Sequence, residues 1–269
     1  MSRRILINAD DFGWTDGHNL AIARAHQLGG VHRTSLLSNG LGFSQAVDLA
    51  FQLPGLDIGV HLALNELPPL LRIPEVIRLT NGEGLFNESI FALLRYWLQR
   101  KLPIDYVGEE WDRQIEKVVK AGIRINHLDT HKHVHVIPPL SALFCNLALK
   151  YQVSEVRVPL DKFSLRLGRG IQGAGFWFLA LCFRRVAKGY GLSFPGRFIG
   201  IYDSGQMSKI KLIKAIQSIR FGTTEIMVHP AVISHQVVDL QKRYVWAANY
   251  QFEEEYHALC DIEVISMLQ

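Results

Sequence analysis

Short apolar runs of strand length alternate along this chain with stretches whose apolar residues recur every three or four positions. This is the pattern of a parallel α/β architecture, in which a covering helix follows each strand. The runs predict strands at Arg4–Asn8, Thr34–Ser38, Asp57–Leu64, Ile125–Asp129, Glu155–Val158 and Glu225–Val228. Helical periodicity covers Asn19–Leu28, Ser44–Leu53, Glu109–Lys120, Leu140–Tyr151 and Ser208–Ile219. In the third of these, Trp111, Ile115 and Val118 fall at i, i+4 and i+7 and predict one buried stripe. No internal repeat, low-complexity segment or linker divides the chain. A single domain over residues 1–269 is expected, with irregular insertions at about 67–88 and 161–199.

Composition narrows the setting. With 269 residues and 48% hydrophobic content, the chain can bury a full core without disulfides. Cys145, Cys182 and Cys260 form no CxxC and read as reduced thiols, so cysteine ligation of a metal is not expected. The net charge of +4 is far from that of a nucleic-acid-binding protein. A strand begins within a few residues of Met1 and no apolar stretch reaches membrane-span length, so a cytoplasmic location is expected. One segment qualifies that picture. Between Gly175 and Leu192, Phe176, Trp177, Phe178, Leu179, Leu181 and Phe183 accompany Arg184, Arg185 and Lys188. A helix over about 176–188 is open to two readings, peripheral contact with the inner face of a membrane or packing in the core. Gly168 to Gly173 matches GxGxxG, but no βαβ unit surrounds it and no nucleotide cofactor is expected.

The chemistry is concentrated elsewhere. His127-Leu128-Asp129-Thr130-His131-Lys132-His133-Val134-His135 places four of eleven histidines and a carboxylate in nine residues, the density of a divalent-metal site. Two other segments offer ligands: Asn8-Ala9-Asp10-Asp11-Phe12-Gly13 and Gly59-Val60-His61-Leu62. Asp10 and Asp11 end the first predicted strand, His61 lies within the third and His127 to His131 follow the next; in a parallel barrel the C-terminal strand ends share the face that carries the active site. Two adjacent carboxylates ending an apolar strand are costly to bury without a cation. Alternation points Asp10 and Asp11 in different directions, suiting one ligand and one general base. Gly59 and Ala63 share the face of His61 and leave room around its imidazole. His131, His133 and His135 alternate, so an extended backbone would put all three on one side; His133 and His135 are expected to line the cavity or hydrogen-bond ligands. His229 ends the last clear strand and is placed as a proton donor, with a purely structural histidine as the alternative. Arg157, also at a strand end, could orient a carboxylate, bind substrate or form a surface ion pair.

One Asp and two His around a single ion leave positions for water and a substrate oxygen. Asp11, His61 and His131 fit the ligands, Asp10 the base and His229 the acid, and amide hydrolysis is the economical inference. Glu66, Asp203, His127 and Asp129 join His133, His135 and Arg157 as residues expected to touch substrate or support the ligands. Zn²⁺ is the preferred ion, with Mg²⁺, Mn²⁺, Co²⁺ or Ni²⁺ as alternatives.

Together with Val228-His229-Pro230-Ala231, these ordered motifs resemble the YdjC family of carbohydrate deacetylases over roughly Ile5 to Ala231. The resemblance implies a distorted (β/α) barrel related to polysaccharide deacetylases, a divalent metal, and removal of an acetyl group from an N-acetylated sugar. Carried over by motif, it implies Asp11, His61 and His131 as ligands and Asp10 as base. Glu155-Val156-Arg157-Val158-Pro159 and Gly200-Ile201-Tyr202-Asp203-Ser204-Gly205 resemble the hopanoid-biosynthesis-associated HpnK branch, which implies a lipid-linked N-acetylglucosamine-type substrate. Two other classes compete. A metal-dependent phosphoesterase would release phosphate from model esters, and a non-catalytic glycan- or lipid-binding protein would bind its ligand without metal.

Overall fold

The computed structural model describes residues 3–87, 89–162 and 170–268. Seven strands form one parallel sheet: β1 (Arg3–Phe12), β2 (Arg33–Leu36), β3 (Asp57–Leu62), β4 (His127–Thr130), β5 (Glu155–Val156), β6 (Arg197–Ile199) and β7 (Gly222–Val228). Their spatial order is β5-β4-β3-β2-β1-β7-β6. The sheet curls into a half-barrel surrounded by helices, and the seam lies between β5 and β6. A lone parallel bridge from Glu155 to Ser193, just ahead of β6, reaches across it.

β1 lies between β2 and β7 in the order and is buried from Leu6 onward, so Asn8, Asp10 and Asp11 are buried along with its apolar residues. The helix Asp16–Leu28 covers it, with the Thr15 side chain accepting from the His18 N–H and Gly29 closing the end at φ 92°. Trp111, Ile115 and Val118 are fully buried in the helix Ile104–Lys120, as their spacing predicts.

Strand centres agree with the periodicity, and the differences lie where elements are short. β6 was not anticipated, because three residues cannot display alternation. It lies inside the span 161–199, which also contains the helix Gly170–Gly189, so that insertion is largely regular structure. Residues 163–169, including the first part of the GxGxxG match, lie outside the described residues.

The helix Gly170–Gly189 buries Ala180, Phe183 and Ala187 against the core. Its Gly173, Phe176 and Trp177 face a cavity, while Phe178 is 60% exposed. Three environments therefore account for apolar residues that run around most of the helix. Among the described residues, no helix is long and apolar enough to cross a membrane.

Helices at His235–Arg243, Val245–Ala248, Phe252–Leu259 and Ile262–Leu268 also escaped the sequence pattern. They contribute Val237, Leu240, Tyr244, Ala247 and Phe252 to a second apolar cluster with Trp14 and Leu67, beside the ends of the strands.

Candidate active site

The C-terminal ends of β1, β3, β4 and β7 bring Asp10 and Asp11, His61, His131 and His229 to one cavity of about 420 Å³. Strand order puts the two histidines on one flank of the Asp pair and His229 on the other. Non-glycine residues in the left-handed region concentrate here: Asp11 (φ 70°), Glu66 (φ 65°), Lys132 (φ 54°) and His133 (φ 54°). At Asp11 this backbone breaks the expected alternation. Both carboxylates consequently approach His61, with Asp10 Oδ2 3.9 Å and Asp11 Oδ1 3.6 Å from Nε2. The histidine run is likewise not extended. A tight turn over His131–Val136 separates its side chains into three environments.

Asp11 Oδ1, His61 Nε2 and His131 Nδ1 form one cluster, the last two 3.6 and 3.4 Å from the carboxylate oxygen. Three atoms held about 2.1 Å from one ion at tetrahedral angles are about 3.4 Å apart, so the spacing suits a metal such as Zn²⁺. Asp11 adds a second sign of fit: it is 1% exposed, and neither carboxylate oxygen has a hydrogen-bond partner. Burial opposes its charge, but His131, His229 and His61 together hold its pKa well below the usual carboxylate range. Burial also disfavours the His131 imidazolium, yet the flanking Asp11 and Glu66 carboxylates push its pKa up to about 9. A second group, Asp10, His61 and Asp129, is equally compact. Its carboxylates, however, are already neutralised by Arg157.

Arg157 is no surface residue. Its guanidinium is completely buried and forks both Asp10 oxygens at 2.6 and 2.7 Å, while also meeting Asp129 Oδ2 at 2.9 Å and Glu225 Oε1 at 2.7 Å. This fixes Asp10 in orientation and leaves it lining the cavity. Asp129 receives His61 Nδ1 at 2.6 Å and the Ser35 hydroxyl at 2.7 Å. That contact turns His61 Nε2 toward Asp11. Burial would raise the Asp129 pKa, but Arg157 and His61 outweigh it and hold the group well below its ordinary value. Glu225, which sequence reasoning missed as a site residue, keeps a raised pKa because burial outweighs Arg157 and Arg33. Its only signal was a carboxylate at the head of an apolar strand.

The remaining candidates divide clearly. Glu66 accepts from His131 Nε2 at 2.8 Å. His133 lines the cavity, between Phe176 and Phe198. His135 points into the core, where its ring stacks on Phe144 and meets Phe183; burial drops its pKa to about 3. His127 lies over Gly59, where an added Cβ would come within 2.4 Å of its ring. The glycine thus makes room for His127 rather than for His61. His229 donates its backbone N–H to buried Glu255, and its ring packs against Tyr250 and lines the cavity. Asp203 pairs with Lys211 at 2.8 Å, and it is the neighbouring Tyr202 and Ser204 that line the cavity. Trp246, Tyr250 and Asp161 also form its walls. They come from loops and late helices with no periodic signal.

The YdjC-like protein family model matches residues 4–269. The chain is 32% identical to a carbohydrate deacetylase of Halalkalibacterium halodurans over 93% of its own length and 94% of that protein. It is 31% identical to a carbohydrate deacetylase of Vibrio cholerae, covering 98% and 91% of the two chains. A solved structure from Enterococcus faecalis V583, provisionally named a cellobiose-phosphate cleavage protein, shares the fold with a TM-score of 0.75 and 24% identity, over 100% of this chain and 94% of that one.

Proposed function

Since the chain belongs to the YdjC-like protein family, we propose that it is a metal-dependent hydrolase that removes an N-acetyl group from an amino sugar. The carrying observation is the buried trio of Asp11, His61 and His131, with an unpartnered carboxylate at its centre, beside an Arg-clamped Asp10 in the same cavity. Asp11, His61 and His131 would hold the ion, which supplies Lewis acidity to the amide carbonyl and makes water more acidic. Asp10 takes the proton from the attacking water, and its fork to Arg157 keeps the carboxylate aimed while that proton arrives. His229, across the Asp pair from the two histidines, gives a proton to the departing nitrogen as the C–N bond breaks. The new C–O bond leaves acetate and a free amine. Aromatic walls at Trp177, Tyr202, Trp246 and Tyr250 offer faces against which a sugar ring can stack.

The lipid-linked substrate of the HpnK branch is the finer reading. It draws support from Phe91 and Phe178, each 60% exposed, near a cavity wall containing Phe91, Phe176 and Trp177. From Lys162 to Tyr202 the sequence contains no Asp or Glu, which suits an apolar or anionic surface. The test is acetate release by metal-stripped protein with each divalent ion restored, comparing soluble chitooligosaccharides with lipid-linked N-acetylglucosamine. Ion-dependent acetate from the lipid-linked substrate alone supports both parts of the reading. Acetate from the soluble sugars alone retains the deacetylase and removes the lipid. Phosphate release from model esters without acetate from any sugar would refute the reading.

A further inference from the structure

We infer that Glu66 is a positioning residue that sets which nitrogen of His131 faces the ligand trio and ties that histidine to the cavity wall; this rests on the ligand reading of Asp11, His61 and His131. The Glu66 side chain is fully buried on a left-handed backbone at φ 65°, and its carbonyl accepts from the Tyr244 hydroxyl at 3.0 Å. Its carboxylate receives three donors: His131 Nε2 at 2.8 Å on one oxygen, and Lys132 Nζ and Trp246 Nε1, both at 2.5 Å, on the other. Two of these groups can only donate, and an ionised carboxylate can only accept.

The third contact therefore puts a hydrogen on His131 Nε2, so that in the neutral ring that an ion would bind, the Nδ1 lone pair faces Asp11 Oδ1. Asp129 does the reverse at His61, taking the hydrogen of Nδ1 and leaving Nε2 toward Asp11. The two carboxylates thus hold the two histidines in opposite tautomers, each presenting a lone pair to the same point. Glu66 has a second effect. Trp246 packs 5.6 Å from Trp14 and 4.8 Å from Tyr250, between ring centroids, so one carboxylate joins a ligand histidine to an aromatic wall of the cavity.

Glu66→Gln keeps the size of the side chain but cannot meet all three donors. If its carbonyl faces His131, its amide confronts Lys132 and Trp246. If it is flipped, the amide hydrogens confront Nε2 and favour the wrong tautomer. The experiment is calorimetric Zn²⁺ titration of the chelator-stripped wild type, Glu66→Gln and Glu66→Ala. Long-range ¹H–¹⁵N spectra of the zinc-loaded proteins read the His131 tautomer, and tryptophan emission is followed with Trp246→Phe as the control. The expected result is roughly 10- to 100-fold weaker Zn²⁺ binding in both Glu66 variants, as for lost carboxylate partners of ligand histidines. The wild type should show Nε2–H and a zinc-dependent emission change that Trp246→Phe removes. Folded Glu66 variants that bind Zn²⁺ within twofold of the wild type, with the His131 tautomer unchanged, would overturn the inference alone. A wild type that binds no divalent ion would overturn the ligand reading and this inference with it.

Discussion

Arg157→Met isolates what the buried charge network contributes. In the native protein one completely buried guanidinium makes four contacts of 2.6–2.9 Å to Asp10, Asp129 and Glu225. Methionine fills much of the volume but leaves three buried carboxylates without their shared cation. Breaking a buried ion pair from one side costs about 3–5 kcal/mol, because the remaining charge is desolvated and unpaired. For a chain of this size each kcal/mol lowers Tm by roughly 2–4 °C, so a loss on the order of 6–20 °C is expected at neutral pH. The deficit has a sign in pH. Asp129 and Glu225 lose the Arg157 contribution that lowers their pKa values, against the burial that raises them. Their folded-state pKa values then rise relative to the wild type, so the folded variant takes up more protons as pH falls and regains part of the lost stability. Thermal melts of both proteins between pH 5 and pH 8 should show the gap narrowing toward pH 5. A gap below about 1 kcal/mol at neutral pH, or one that widens on acidification, would refute the reasoning.

Asp10→Asn should keep the Zn²⁺ affinity of the wild type, because Asp11, His61 and His131 are intact, yet lower kcat by roughly 10²–10⁴-fold; comparing titration with acetate release checks this. In chelator-treated protein, His131 has a folded pKa near 9 against an ordinary 6.5, a contribution to stability present below about pH 6.5 and lost as pH rises toward 9. Its size is on the order of 3 kcal/mol, and it should vanish from the melts of His131→Ala. Gly59→Ala should destabilise by about 1–3 kcal/mol, since its Cβ would collide with the buried His127 ring; denaturant unfolding measures it, and Gly59→Ala with His127→Ala should recover part of the loss.

The alternation of strand and helix, the stripe of Trp111, Ile115 and Val118, and the convergence of Asp11, His61 and His131 were legible in the sequence. Each rests on a periodic burial pattern or on the rule that parallel strands end on one face. Three things were not. Strand β6 is too short to carry a period, and the late helices that bring Trp246 to the cavity have no spacing tied to the motifs. The direction of individual side chains at the site was also hidden, because it depends on left-handed backbone at Asp11, Glu66, Lys132 and His133. Simple alternation separates Asp10 from Asp11 and groups His131, His133 and His135. The folded chain instead brings the two aspartates together and scatters the three histidines among the Asp11 cluster, the cavity wall and the core. Arg157 shows the same limit. Its partners Asp10, Asp129 and Glu225 stand 147, 28 and 68 positions away in the chain. Local sequence therefore determined which residue types reach the active face. Which carboxylate meets arginine, which meets histidine and which is left without a partner was decided only by tertiary packing, because burial forces each charge to find its counter-charge across the sheet.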